Sequence, residues 1–362
     1  MQTIKVNLKN RSYNIVVGSN IISRLGSYIL KAGIGRDAYI ITNSPIKKRY
    51  GRSLEQALKK YGLSVKFKVV ADTEKSKSVE TSSRVIRDLA HYDRKKKIFI
   101  IAFGGGVVGD LSGFIAAIYK RGIPYIQVPT TLLAQVDSAI GGKTAVDLTE
   151  GKNLIGAFYQ PRLVYSDIKF LKSLDLRQLR AGLAEVIKYG IIRDPGLLTY
   201  LETKYKDILE RKETNLTHIV GCCSAIKADI VSRDEREEKG MRTILNFGHT
   251  IAHAIEAAAG YNAYNHGEAV SLGMLAATDI SRSLGLIGAS TQERIESMVR
   301  RIGLPVKIRN LSVGSIINAH YHDKKFIGTK NRFVLIAGIG KAKVVNDIPL
   351  ALIKKSVSAI AG

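Results

Sequence analysis

The 362-residue chain is poor in cysteine, short of acidic residues and free of long apolar runs. Its two cysteines are neighbours, Cys222 and Cys223. A vicinal pair does not staple a fold, and no CxxC spacing exists. A disulfide framework is therefore excluded and a reducing, cytoplasmic setting is expected. On a helix the two read as small apolar residues. No apolar stretch approaches the roughly 20 residues of a membrane span, so no membrane partner is expected. The opening MQTIKVNLKNRSYNIVVG alternates apolar and polar residues, the pattern of a strand pair and not of a signal peptide. Internal repeats and low-complexity segments are also missing. Acidic residues number 31 against 56 lysines and arginines, a formal net charge of +25. The bases are spread along the whole chain, with the densest runs, IKKRYGR and DRKKKI, at expected helix and loop surfaces. No nucleic-acid partner is expected. The surplus reads as a solvated basic surface around a site for a small anionic substrate.

What is present is an ordinary soluble composition, 45% hydrophobic and 24% charged, with length enough for two domains. The first half alternates apolar β-type runs (Ala38–Thr42, Val65–Val69, Lys97–Phe103, Tyr125–Val128) with helical patterns (Ile46–Tyr61, Val79–Tyr92). That order predicts a parallel sheet covered on both faces. From about Leu176 the apolar residues recur at helical spacing. LRAGLAEVIKYGII, LTHIVGCCSAIKADIVSRDE, ILNFGHTIAHAIEAAAG, GEAVSLGMLAATDISRSLG and TQERIESMVRRIG each suit one helix, with Gly260, Gly285 and Gly303 where helices stop. RFVLIAG and KAKVVND suit a small hairpin before a final helix. The expected organisation is an α/β nucleotide-binding domain over 1–172 and a mainly α-helical metal- and substrate-binding domain over 173–362.

Chemistry concentrates in a few segments. KKIFIIAFGGGVVGDLSGFIAAIYKRG is an apolar strand, glycines, then a helix, and Gly104, Gly106 and Gly109 satisfy G-x-G-x-x-G. Such glycines let the backbone approach a pyrophosphate at a helix N-terminus. The acidic residue expected about 20 positions on is missing from YIQVPTTLLAQ. VPTTLLAQVDSAIGGKTAVDL places Thr130 and Thr131 after a strand, then Asp137, a Gly-Gly turn and Lys143. EGKNLIGAFYQP sets Lys152 and Asn153 in a glycine-flanked loop, also suited to phosphates. NFGHTIAHAIEAAAGYNAYNHGE holds three of the seven histidines. His249 and His253 share a helix face at i and i+4; with His266 and a carboxylate they suit an open zinc site. In AGLAEVIKYG, Glu185 is a charge on an otherwise apolar helix, with Lys188 at i+3; burying it requires a partner or a ligand. Glu185, Glu256 and Glu268 are rival carboxylates, and spacing does not choose among them.

These segments, in this order, resemble the sugar-phosphate cyclase family, and within it the 3-dehydroquinate synthases. The motifs that carry the resemblance are GGGVVGD, PTTLLAQVDSAIGGKT, GLAEVIKYG, LNFGHTIAHAIE and HGEAV. The resemblance implies a nucleotide domain, a helical metal domain and an active site between them. It implies Glu185, His249 and His266 as metal ligands, of zinc or cobalt, and moves His253 to the substrate. It implies NAD over the glycine turn, touched by Asp72, Glu74, Lys77, Gly106, Val107, Val108, Gly109, Asp110, Thr130, Thr131, Lys143, Lys152, Phe170, Leu171, Lys172 and Ser173. Asp137, Lys143, Lys188, Asn246 and His253 are implied catalytic residues. Arg121, Asn153, Lys227, Arg242 and Lys324 are implied to hold the sugar phosphate, 3-deoxy-arabino-heptulosonate 7-phosphate. Arg121 comes from a second copy in a homodimer. The implied reaction oxidises the substrate transiently, eliminates phosphate, reduces it again, opens the ring and closes a carbocycle by an aldol step. Related cyclases acting on other sugar phosphates share the metal and NAD motifs; Lys227, Arg242 and Asn246 fit a substrate carboxylate and favour the 3-dehydroquinate branch. Three positions depart from the family pattern: Thr73 where glycine is usual, Asn43 where an aspartate grips the adenosine ribose, and Gln178 where glutamate is usual.

Overall fold

A parallel strand covered on both faces is apolar throughout, without alternation. IFIIAFG is such a run, and all seven residues of Ile98–Gly104 are buried. The computed structural model describes residues 1–71, 73–261, 263–321 and 331–362. Asp72 and Lys324 lie outside the described residues. The chain forms two compact units, one of Met1–Leu174 with Glu213–Arg236, the other of Asp175–Lys212 with Glu237–Gly362.

In the first unit the chain runs β1 (Gln2–Val6), β2 (Tyr13–Gly18), α1 (Leu25–Ala32), β3 (Asp37–Asn43), α2 (Ser44–Lys59), β4 (Ser64–Val70), α3 (Val79–Tyr92), β5 (Ile98–Gly104), α4 (Gly106–Ile118), β6 (Tyr125–Pro129), β7 (Lys143–Leu148), β8 (Gly151–Phe158) and β9 (Leu163–Asp167). It continues through α5 (Leu176–Ile192) and α6 (Pro195–Leu209) of the second unit. It returns to the first for α7 (Glu213–Arg233), then finishes the second with α8 (His249–Ala258), α9 (His266–Ser283), α10 (Ala289–Ile302), α11 (Val313–Tyr321), β10 (Arg332–Ile336), β11 (Ala342–Asn346) and α12 (Leu350–Ala359).

The main sheet has the order β1-β2-β9-β6-β5-β3-β4, parallel except for the β1–β2 pair. Apolar residues of α1 and α2 cover one face (Leu25, Ile29, Leu54, Leu58) and those of α3 and α4 the other (Val85, Leu89, Leu111, Ile115). The chain leaves β3 for β4 on one side, then crosses back to β5 on the other. Connections diverge there, and such a switch point opens a crevice at the carboxyl ends of the strands where open α/β sheets take ligands. The glycine turn follows β5 directly. Helix α2 begins at Ser44, ahead of the apolar periodicity at Ile46. The Asn43 side chain accepts from the Ile46 N–H at 3.0 Å, and proline stands in the first turn, so cap chemistry sets the start.

Two expectations are corrected. ILNFGHTIAHAIEAAAG is not one helix: residues 242–246 form a 3-10 turn, Gly248 has φ +80°, and α8 starts at His249. A Cβ on Gly248 would stand 2.7 Å from the Met274 backbone nitrogen, so the break and the close packing on α9 both require glycine. EGKNLIGAFYQP is not a loop; Lys152 and Asn153 belong to β8, antiparallel to β7 with a register shift between Val146 and Leu148. That irregularity, with Asn153 at φ +57°, hides the strand alternation. Among the described residues no helix is long and apolar enough to cross a membrane.

Candidate active site

In the second unit, Glu185 of α5, His249 at the start of α8 and His266 at the start of α9 bring one ligand atom each within 4.8 Å of one another. Glu185 is fully buried. Its Oε1 lies 3.5 Å from His249 Nε2 and 3.3 Å from His266 Nε2, while Oε2 pairs with Lys188, itself 1% exposed. The Glu–Lys pair is thus real but buried, not a surface pair. His249 Nδ1 faces the Phe247 carbonyl at 3.1 Å. A carbonyl only accepts, so Nδ1 carries a proton, and Nε2 is the ring nitrogen on the Glu185 side that could ligate a metal. His266 Nδ1 faces Glu256 at 3.5 Å. Burial opposes charge on His266, but hydrogen bonding to Glu185 and Glu256 and their negative charges overcome it and push its pKa up to about 10.

This geometry separates the three rival carboxylates. Glu185 faces both imidazoles, and Glu256 faces the far nitrogen of His266. Glu268 completes a capping box with Asn265 (2.9 Å each way) and receives Arg177 in a two-point fork at 2.6 and 2.7 Å. That box fixes the first turn of α9 and so the position of His266. Two glycines let the helices meet: a Cβ on Gly267 would lie 2.3 Å from Ala181 backbone atoms of α5, and one on Gly273 2.0 Å from the Gly248 carbonyl oxygen. Two imidazoles and a carboxylate suit a zinc-type ion and leave a coordination position open.

Nearby in the second unit, His253 sets its ring edge-to-face on His249 at 5.7 Å. Arg242, 3% exposed, and Asn246 share the 3-10 turn before Gly248. Asn246 donates to Glu237 at 2.9 Å.

The first unit carries the remaining predicted residues. Helix α4 starts at Gly106 with no side-chain cap, so its first N–H groups have no helical partner. Added Cβ atoms at Gly105 and Gly109 would lie 3.0 Å from Thr131 and 2.9 Å from Gln127. Thr130 donates its N–H to the Gly104 carbonyl at 2.9 Å, and its buried hydroxyl has no hydrogen-bond partner among the described residues. Uncapped N–H groups and an orphaned buried hydroxyl fit a bound pyrophosphate. Beside them Lys77, 4% exposed, pairs with Asp110 at 2.8 Å and hydrogen-bonds Asn153, with Glu74 and Asp147 each 3.9 Å away. Burial opposes its charge, but Asp110, Glu74 and Asp147 hold the Lys77 pKa above its ordinary value. Lys152 stands 3.7 Å from Glu74. Lys227 of α7 donates to the Asp137 carboxylate and carbonyl, both at 2.7 Å. Lys143 opens β7 and is exposed. Arg121 is exposed in a turn where it and Lys120 both have positive φ, +63° and +49°. Phe170 and Leu171 are buried in the core, which leaves their backbone for any ligand; Lys172 pairs with Glu213, and Ser173 shares a hydrogen bond with Tyr50 at 2.7 Å.

Two family models match in succession, 3-dehydroquinate synthase N-terminal over residues 67–181 and 3-dehydroquinate synthase C-terminal over residues 182–326. The chain belongs to the 3-dehydroquinate synthase family. The 3-dehydroquinate synthase of Desulforamulus reducens is 44% identical over 349 residues, covering 96% of this chain and 97% of that one. Among solved structures, 2-deoxy-scyllo-inosose synthase, complexed with carbaglucose-6-phosphate, NAD+ and Co2+, has a TM-score of 0.89 at 28% identity, covering 98% and 99% of the two chains. The 2-epi-5-epi-valiolone synthase of Streptomyces hygroscopicus, with NAD+ and Zn2+ bound, has a TM-score of 0.88 at 27% identity and covers 98% of both.

Within this chain, three acids beside the predicted residues carry no sequence motif that singles them out as partners. Asp147 accepts from the Asn153 N–H at 2.8 Å and donates its own N–H to the Lys77 carbonyl at 2.7 Å. Glu237 faces Asn246. Glu256 faces His266. The last was visible as a carboxylate on the histidine helix, and its placement against the far nitrogen of His266 needed the fold.

Proposed function

We propose that this chain is an NAD- and divalent-metal-dependent carbon–oxygen lyase. It converts 3-deoxy-D-arabino-heptulosonate 7-phosphate to 3-dehydroquinate and phosphate, the shikimate-pathway step toward aromatic amino acids. The observation that carries the reading is the convergence of Glu185, His249 and His266 in a chain that matches both family halves. Glu185, His249 and His266 hold the metal, with His249 and His266 oriented by Phe247 and Glu256. The uncapped start of α4 (Gly106, Val107, Val108, Gly109), Thr130 and Thr131 hold the NAD pyrophosphate side. The Glu74–Lys77–Asp110–Lys152 network holds its sugar, and Lys143 and residues 170–173 complete the contact. When bound, NAD+ and the metal supply a reversible hydride acceptor and a Lewis acid.

The chain's own groups do the rest. The substrate is oxidised, loses phosphate by β-elimination, is reduced, opens and closes by an aldol step. Arg242, Asn246 and Lys227 bind its carboxylate; Asn153, Lys188 and His253, with Lys324, hold its hydroxyls and phosphate. Asp137, held by Lys227, orients the proton-carrying water at the reacting hydroxyl. Arg121 completes the phosphate site of a second copy in a homodimer, and its paired left-handed backbone stiffens the turn that presents it. The enzyme works in the cytoplasm.

Substrate choice is the direct test. Purified protein with NAD+ and Zn2+ is given the heptulosonate phosphate or glucose 6-phosphate. Carbocycle formation from the first alone is expected. Turnover of glucose 6-phosphate in its place would assign the chain to the inosose-synthase branch.

A further inference from the structure

A cavity of about 270 Å3 opens at the sheet edge of the first unit, beside the carboxyl end of β4. None of the residues assigned to NAD or metal lines it. Its wall is Lys68 and Val70 of β4, Ser76 of the 3-10 turn at residues 74–76, and Thr81, Arg84 and Val85 of α3. Ser76 is 6% exposed, and its hydroxyl has no hydrogen-bond partner among the described residues. A hydroxyl on the cavity wall that is engaged nowhere else can donate to a ligand's acceptor. Thr81, also 6% exposed, accepts at Oγ1 from Arg84 at 3.1 Å and from Ser78 at 3.3 Å, so its own proton remains to be donated. The exposed Arg84 guanidinium has further N–H groups beyond the one on Thr81.

The charged groups on the cavity wall are cations, each with an acidic neighbour outside the wall. Lys68 shares Asp88 with Lys66, at 3.3 and 3.0 Å, and Asp88 also accepts from Tyr39 at 2.7 Å. Glu80 lies one helical turn before Arg84 and feels its charge. Of the residues that line the cavity only Lys68 and Arg84 are charged, and both are cations. The polar groups on the wall are cations and hydroxyls with no carboxylate among them, and Val70 and Val85 supply an apolar floor. That inventory suits a small oxyanion on a short carbon skeleton. The volume is too small for a nucleotide.

The turn that carries Ser76 also carries the cofactor network. Ser76 donates its N–H to Thr73, Lys77 donates its N–H to Glu74 at 2.8 Å, and the Lys77 side chain runs to Asp110. Ser76 faces the cavity while its neighbour faces the glycine turn. We propose that this cavity is a second, regulatory site for a small phosphorylated or carboxylated metabolite, and that its occupancy changes the grip of the 74–77 turn on NAD+. The second clause rests on the NAD assignment above.

Crystals of the full chain soaked in tungstate, with anomalous scattering as readout, test the site itself. A peak within hydrogen-bond distance of Ser76 and Arg84, lost in Arg84→Ala, is expected. Its absence at millimolar tungstate overturns the proposal. Calorimetric NAD+ titrations with and without sulfate test the coupling, since the chain has no tryptophan to report binding. The NAD+ dissociation constant should shift by about fivefold or more, the low end of site–site couplings, and the shift should vanish in Arg84→Ala. A peak with no shift means an adventitious ion only and sinks the proposal. A shift retained in Arg84→Ala would come from sulfate elsewhere and also sinks it. Failure of NAD+ to bind under any condition would count against the cofactor assignment, and the tungstate arm would still decide the cavity. Phosphoglycolate and acetate in place of sulfate separate a phosphate ester from a carboxylate.

Discussion

At the residue scale, the metal centre depends on who faces each imidazole nitrogen. Glu185→Gln and His249→Ala should lose bound zinc, while His253→Ala should keep it; metal analysis of the purified variants decides. Full zinc in both ligand variants would mean a different ligand set. Glu256→Gln removes a partner of His266 without removing a ligand, and about a 10- to 100-fold weaker zinc affinity is expected. The metal-free chain should also show a pH signature. His266 has its folded pKa raised from 6.5 to about 10, so its protonated form favours the folded state. That stabilisation is complete below pH 6.5 and is lost as pH rises through about 10. Thermal melts of chelated protein should therefore show His266→Gln removing a stability loss between these values. Zinc uptake should release a proton over the same range. In the first unit, Lys77→Met cuts a buried cation from Asp110 and Asn153. NAD+ affinity should fall about tenfold or more, the size of a lost charged hydrogen bond, with zinc content unchanged.

At the element scale, the site is made by helices allowed to touch. Gly267 and Gly273 hold α9 against α5 and α8 at separations no side chain tolerates. Gly267→Ala should cost about 1–3 kcal/mol, the range for overpacking, and should lower zinc occupancy although all three ligands remain. Unchanged melting and full zinc would contradict this. The same scale explains what could be read in advance. β5, α3, the terminal hairpin and the glycines ending α8, α9 and α10 follow from apolar period and local backbone preference, which are properties of short windows. The break at Gly248 and the strand β8 do not. The first is forced by Met274 more than twenty residues on, and the second is masked by a bulge whose partner strand supplies the reason. In the site, motif resemblance named Glu185, His249 and His266, and spacing alone could not, because Glu256 and Glu268 are rival carboxylates on the two histidine helices. Asp147 and Glu237 stayed hidden because their partners are distant in type and position from any recognisable spacing.

At the scale of the whole molecule, two features remain to be joined, a charge of +25 and a reaction on a doubly anionic substrate. Attraction over a Debye length of about 10 Å at 0.1 M salt should raise the encounter rate, so kcat/KM should fall with ionic strength while kcat holds steady. A flat salt profile would separate the charge from catalysis. The central claim is that oxidation and reduction cancel within one turnover. It is tested by following phosphate and NADH together, with enzyme, NAD+, Zn2+ and the heptulosonate phosphate. Phosphate should accumulate over many turnovers while NADH never exceeds the enzyme present. NADH rising in step with phosphate would make this chain a dehydrogenase and contradict the account.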